Sequence, residues 1–316
     1  MGPPATMSPQ AVRAESICRE QTDCLLCGSS QWSALVEAED GDAQGLSFQV
    51  VRCERCGLCF TNPRPDPASI GQFYPPGYGP HRRRSRVRRP RLGAWARRFL
   101  SMDPERHGPP WHGQGRLLDV GCGSGSFLYR MHRRGWSTVG LDISPQAVAH
   151  VRDSLQLPAL LGSLPHPSIQ PESFDVLTIW QCLEHVHQPL AMLREARRAL
   201  APGGRLYVTV PNIDSAAFRW FGPDWFGLDL PRHLVHFSPV TLRRMLEVAG
   251  FHVRACRLQR RTAWMQSSAR RAVQLGKARG LLAWLPLRFM ARLASWYGHL
   301  RGQSDCLLAV AEKRPS

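Results

Sequence analysis

The run Leu117-Leu118-Asp119-Val120 leads straight into Gly121-Cys-Gly-Ser-Gly125, after which Phe127, Leu128 and Met131 recur at helical spacing. A short apolar run, a glycine turn and an amphipathic stretch predict strand, tight turn and helix, the unit from which open parallel sheets are wound. The pattern then repeats. Thr138 to Leu141 predicts a second strand closed by Asp142, and Ser144 can cap a helix opening at Pro145. Leu157 to Leu161, Phe174 to Ile179 and Arg205 to Val210 supply the next three strands, the last two separated by a helix from Pro189 to Leu200 and the turn Pro202-Gly-Gly. Ser238 caps a further helix, Pro239 to Ala249, which Gly250 ends; Phe251 to Cys256 and Asp305 to Ala311 complete seven strands. Strands alternating with helices imply an α/β fold, its sheet mostly parallel and covered on both faces.

Ahead of this region lie two Cys-x-x-Cys turns, Cys24/Cys27 and Cys53/Cys56, each followed by a glycine, Gly28 and Gly57. Two such turns can bring four thiolates onto one tetrahedral Zn²⁺. Unrelated core thiols would not share that spacing twice. Cys18 and Cys59 read as bystanders. The expectation is a zinc-ribbon-like module over 20–75 whose closed site stabilises the fold rather than performing chemistry.

Asn62-Pro-Arg-Pro-Asp-Pro and Tyr74-Pro-Pro-Gly-Tyr-Gly are too rich in Pro and Gly for helix or central strand, so a Pro/Arg-rich linker over 76–110 is expected before a domain at 111–312. The formal charge of +17 is concentrated there: nine Arg fall between Arg82 and Arg98 with no acid among them. The apolar run Leu281 to Leu287 is closed by Arg288, far short of the ~20 residues that span a bilayer. Up to Glu15 the N-terminus lacks the apolar stretch of a signal peptide, and a cytoplasmic location is expected. Within an insertion at 257–303, Leu287, Met290, Leu293, Ala294, Tyr297 and Leu300 share one helical face, and Arg288, Arg292, Ser295 and His299 another. Such a basic amphipathic helix either packs on its own domain or, with the Arg-rich linker, touches anionic lipid peripherally at the inner face of the membrane.

A glycine turn after the first strand and an acid closing the second suit a nucleotide-bearing cofactor. Gly121-x-Gly123-x-Gly125 departs from dinucleotide spacing, and Asp119 before it would repel a pyrophosphate but suit an amino group. Leu117-Leu-Asp-Val-Gly-Cys-Gly-Ser-Gly-Ser-Phe resembles motif I of the class I S-adenosylmethionine-dependent methyltransferases. Phe174-Asp-Val-Leu-Thr-Ile-Trp-Gln-Cys-Leu-Glu-His-Val, Leu200-Ala-Pro-Gly-Gly-Arg-Leu and Pro211-Asn are similar to later motifs of that superfamily. The paired Cys turns, Asn62-Pro-Arg-Pro and Pro231-Arg-His-Leu-Val-His-Phe-Ser resemble its bacterial branch with an N-terminal zinc module, which includes deoxysugar C-methyltransferases. The resemblance covers about residues 22–255 and 304–312. It implies a seven-stranded Rossmann-like methyltransferase sheet, S-adenosylmethionine as cofactor and structural Zn²⁺. It further implies a cofactor site at Asp119, Gly121, Cys122, Gly123, Gly125, Asp142, Ile143 and Gln181. Asp142 would take the ribose. Where relatives carry an acid for adenine after the third strand, this chain reads Gly162-Ser-Leu-Pro-His, so backbone or another residue must serve.

Methyl transfer needs alignment of acceptor and methyl and, for an acidic acceptor, a base, for which histidine is suited near neutral pH. Glu184-His185 follows the fourth strand, and His233 and His236 lie in a loop over 211–240 that reads as a substrate lid. Relatives that methylate sugar carbon pair the loop His with a preceding Glu, whereas here Arg232 precedes His233 and can instead grip a phosphate or carboxylate of the acceptor. Gln181, Glu184 and His185 also resemble the ubiquinone-pathway O-methyltransferases, which implies a phenolic or polyprenyl acceptor; Gln181 stands where an acid would, so no catalytic metal is expected. A small or lipid-linked acceptor is therefore expected. Two alternatives fit less well. A ribosomal-RNA methyltransferase with a zinc module would use the positive charge, but the Pro231 to Ser238 signature argues against it, and nucleic acid is not an expected partner. A non-catalytic binding protein on the same scaffold fits the missing adenine acid but not the intact cradle.

Overall fold

The computed structural model describes residues 17–39, 46–74, 105 and 108–314. Five strands belong to the N-terminal segment: β1 (Arg19–Glu20), β2 (Trp32–Glu39), β3 (Ser47–Cys53), β4 (Cys59–Thr61) and β5 (Arg64–Pro65). The larger region adds β6 (Arg116–Val120), α1 (Ser126–His132), β7 (Ser137–Asp142), α2 (Pro145–Ala149), β8 (Ala159–Leu161), β9 (Phe174–Trp180), α3 (Pro189–Ala199) and β10 (Leu200–Pro211). It continues through α4 (Ala216–Phe221), β11 (Val235–His236), α5 (Pro239–Val248), β12 (His252–Gln259), α6 (Thr262–Gln274), α7 (Arg288–Leu300) and β13 (Cys306–Glu312).

Seven strands form the main sheet in the order β12-β13-β10-β9-β6-β7-β8. Its pairs from β10 through β8 are parallel, and β13 alone runs against its neighbours. The expected caps are present: the Ser144 hydroxyl accepts from Ala147 N–H, and Ser238 with Thr241 closes a reciprocal box at the start of α5. β9 is buried throughout because helices cover both faces, which is why its sequence is a continuous apolar run rather than an alternating one.

β11, from the loop after β10, adds itself to the N-terminal sheet, giving the order β11-β4-β3-β2, with Val235 opposite Phe60 and His236 opposite Cys59. Alternation along β3 then sends Phe48 and Val50 to one face and Val51 and Cys53 to the other. The second face shares a core with Leu183, Leu234 and Phe237, and the first shares one with Trp225, Met265, Ala269 and Ala291. The N-terminal sheet is thus a middle layer between the main sheet and the helices of the 257–303 insertion. The linker expected over 76–110, with Arg82 to Arg98, falls almost wholly outside the described residues.

The insertion corrects one expectation. α7 buries Ala291, Ser295 and Gly298; of the anticipated core face Met290 and Ala294 pack against the core, whereas Leu287, Leu293, Tyr297 and Leu300 are exposed. Small residues allow close approach: a Cβ on Gly298 would stand 3.2 Å from the Ala216 side chain. Ser295, assigned to the polar face, is buried instead. No helix among the described residues is long and apolar enough to cross a membrane.

Candidate active site

The glycine turn folds as its sequence implies. Gly121 and Gly125 have φ of +73° and +67°, and a Cβ would fall 2.6 Å from the Cys182 sulfur at the first and 2.7 Å from Val151 and Leu155 at the second. Only glycine fits there. Gly123 N–H donates to Asp142 Oδ2 at 2.8 Å and Ser144 N–H to Oδ1 at 2.8 Å, so the acid ending β7 holds the turn ending β6. Asp119 is buried and accepts from the Thr178 hydroxyl at 2.7 Å. Burial, with Asp142 nearby, lifts its carboxyl to about 7. Two acids converge here at the carboxyl ends of adjacent strands, which fits a ligand that brings its own ammonium group and ribose hydroxyls. The Cys122 side chain turns into the core, leaving its backbone for the cradle. Ile143 is 69% exposed and Leu161 50%, and Asp142 is register partner of Leu161, so two apolar side chains stand open beside the acid that ends β7. Gln181, at φ +49°, donates from Nε2 to the Cys306 sulfur at 3.3 Å.

Beyond β9 the structure gathers Glu184, His185 and His233, whose ligand-type atoms lie within 4.8 Å of one another. His233 Nδ1 lies 2.9 Å from the Gly227 carbonyl, which can only accept, so Nδ1 carries the hydrogen and Nε2 presents its lone pair. That nitrogen faces Asp229 at 3.8 Å and Glu184 at 4.0 Å. Burial lowers the His233 pKa while Asp229 opposes the shift. Asp229 itself is held down at about 2 despite its burial, by His233 and Arg232. Glu184 is fully buried, neither oxygen accepts a hydrogen bond from another described residue, and burial raises its carboxyl to about 8. His185 Nδ1 lies 3.0 Å from the Arg232 carbonyl and 2.9 Å from the Tyr74 hydroxyl; burial and His233 push its pKa down to about 3.

His236 lies apart from this trio's open atoms. Its Nε2 meets the Thr61 hydroxyl at 3.2 Å, and because that hydroxyl donates to the His233 carbonyl at 2.8 Å, it accepts from His236. Arg232 does not wait for an acceptor group: its guanidinium grips Asp229 at 3.1 and 2.7 Å and donates to the Phe73 carbonyl at 3.2 Å. The carboxylate that the sequence lacks next to His233 is supplied by Asp229, four residues earlier, with the Glu184 carboxyl beside it. Asp229, Tyr74 and Thr61 are not marked in the sequence, because an i, i+4 pair in a loop carries no periodic signal and the other two arrive from the N-terminal segment.

In that segment Cys24, Cys27, Cys53 and Cys56 place their sulfurs within 4.8 Å of one another, with 3.4 Å from Cys24 to Cys56 and 3.6 Å from Cys27 to Cys53. Thiolates 2.3 Å from a tetrahedral Zn²⁺ stand about 3.8 Å apart, close to these separations. Gly28 and Gly57, at φ +69° and +76°, donate to the Cys24 and Cys53 carbonyls and close the two turns. At Cys53 burial is outweighed by the Cys56 and Arg55 backbone N–H groups, which bring the thiol down to about 7.

A methyltransferase domain family matches residues 81–255. The ubiquinone biosynthesis O-methyltransferase of Aeromonas salmonicida is 32% identical over 44% of this chain and 63% of its own length. That of Xanthomonas oryzae pv. oryzae is 31% identical over 57% of this chain and 71% of its own. The chain thus spans less than two thirds of the Aeromonas relative. In the complex between the Haloferax volcanii Trm112 methyltransferase activator and the putative methyltransferase, one chain shares the fold, with a TM-score of 0.50 and 20% identity over 70% of this chain and 92% of that one. With the matched family, the strand order and the glycine cradle in agreement, the chain belongs to the methyltransferase domain family and has the class I S-adenosylmethionine-dependent fold.

Proposed function

We propose that the protein transfers the methyl group of S-adenosylmethionine to a hydroxyl of a small or lipid-linked acceptor of phenol or sugar type, with His233 as the base. The observation that carries this reading is the lone pair on His233 Nε2, held toward Asp229 and Glu184 near the carboxyl edge of the sheet. The cofactor, when bound, supplies an electrophilic methyl group. Asp119 and Asp142 hold its charged and hydroxyl groups, while His233 takes the acceptor's proton and Asp229 stabilises the imidazolium that results. His185 and Tyr74 border the acceptor's place, and Thr61 with His236 fixes the loop that carries His233. The four Cys hold a structural Zn²⁺. The relatives' ubiquinone-pathway names favour a phenolic acceptor over a sugar carbon.

Calorimetry tests the cofactor half. Because Asp119 titrates near 7 without ligand and an ammonium favours its ionised form, affinity rises as pH rises through 7, and binding near neutrality releases a proton. Asp119→Asn is expected to lose that release and to bind about 10- to 100-fold more weakly, the worth of a charge-assisted hydrogen bond. Gly123→Val is expected to lose binding outright. Unchanged affinity in both variants would remove the site, and preference for a nicotinamide dinucleotide would remove the activity. For the acceptor half, His233→Asn should lower kcat on a phenolic acceptor by about 10²–10⁴-fold with cofactor affinity retained.

A further inference from the structure

Ten of the seventeen large apolar side chains exposed among the described residues lie between Val273 and Leu300. On α7 they form a stripe: Phe289, Leu293, Trp296 and Leu300, at i, i+4, i+7 and i+11, are 69, 49, 41 and 79% exposed. Leu281 and Trp284, in the turn before it, are 70 and 61% exposed. A surface helix ordinarily turns such a stripe inward. Here the inward face is built from Ala291, Ser295 and Gly298, with Met290 and Ala294 packed beside them, and the four side chains of the stripe are left largely in solvent.

The charge around the stripe is predominantly positive. Between Glu247 and Asp305 there is no acidic residue, whereas eleven Lys and Arg occur; of these, Arg254 pairs with Glu312, Arg261 with Glu105, and Arg271 and Lys277 with Asp224. Arg279, Arg288, Arg292 and Arg301 are exposed beside the apolar residues, and the Arg260 guanidinium stacks 3.6 Å over the Trp296 ring. A second copy of the chain would bring like charge against like charge. Phosphates of a nucleic acid would satisfy the cations but leave Leu281, Leu287, Leu293 and Leu300 in water. An anionic bilayer satisfies both, headgroups meeting the arginines while Phe289, Leu293 and Leu300 enter the acyl boundary. We infer that the outer face of the α6–α7 hairpin docks on the surface of anionic membranes. The inference concerns this face alone and does not depend on which acceptor is methylated.

Co-sedimentation of the full-length protein with vesicles of mixed phosphatidylglycerol and phosphatidylcholine, against vesicles of phosphatidylcholine alone, tests it. Binding to the mixed vesicles, stronger at low salt, is expected. Arg288→Gln with Arg292→Gln should weaken it about thirtyfold, at roughly 1 kcal/mol per basic side chain. Phe289→Ser with Leu293→Ser should remove the part that survives high salt. Both pairs are exposed, and calorimetric cofactor binding verifies that the variants fold. Failure of the wild type to bind at low salt would overturn the proposal, as would equal binding to neutral vesicles. Binding that survives both hairpin variants would assign attachment to Arg82–Arg98 and overturn it too. A dimer that the Phe289→Ser, Leu293→Ser variant dissociates would give the face to a second copy, and nucleic-acid retention lost in the Arg variants would give it to phosphates; either result also refutes the inference.

Discussion

Glu184 is held at a cost to the fold. It is fully buried, without a hydrogen-bond donor from another described residue, and its carboxyl is raised to about 8 from an ordinary 4.5. Between those two values the unfolded chain releases a proton that the native chain retains, so this group destabilises the fold increasingly as pH climbs from 4.5 to 8. His185 and His236, both depressed to about 3 mainly by burial, act oppositely: their contribution is fully present above 6.5 and is lost as pH falls toward 3. Glu184→Gln is therefore predicted to be more stable by about 1–3 kcal/mol at pH 8, with little difference below pH 4.5, and to transfer methyl more slowly. Denaturant unfolding at the two pH values, beside initial rates, checks this. A variant less stable at both would mean that Glu184 is held by a partner and is structural.

At the scale of elements, β4 and β11 join the Cys turns to the loop that carries His233. β4 begins at Cys59, three residues past Cys56, and pairs with the strand that carries His236. Removal of metal is thus predicted to suppress methyl transfer strongly and to leave cofactor affinity nearly intact, since the cradle hangs from β6 and β7 of the other sheet. Treatment with a strong chelator, followed by metal analysis, rate measurement and calorimetry, decides it; parallel loss of cofactor affinity would refute the separation. The same pairing marks the limit of what can be read in one dimension. The strand from Leu117, the Asp142 terminus and the Ser144 and Ser238 caps are local signals, and they emerge within a residue or two of their expected places. β11 is two residues long and has no pattern of its own, so nothing in the sequence announces that Val235 pairs with Phe60 from a distant part of the chain. The face that α7 buries differs from the one its large residues suggest, because its small residues make the contact.

For the molecule as a whole, the two cores leave no seam between the N-terminal sheet and the rest. Leu234, Val235 and Phe237 pack with Val51, Leu58 and Phe60 in one core, while Phe48 and Phe73 pack with Trp225 and Met265 in the other. Each part buries apolar surface against the other. Metal-loaded protein is accordingly predicted to unfold in a single cooperative transition, with far-ultraviolet circular dichroism and tryptophan fluorescence coinciding. Two separated transitions would show independent domains. The hairpin enters the same framework from its inner side: Phe226 N–H donates to the Ser268 hydroxyl at 2.9 Å, and Trp220 stacks on Tyr297 with ring centroids 6.1 Å apart. Phe226 and Trp220 both belong to the stretch of chain that leads to His233. A ligand that steadied the outside of the hairpin would therefore steady the loop that carries His233 as well, and a lipid there would influence turnover as an effector does, through stiffness at a distance.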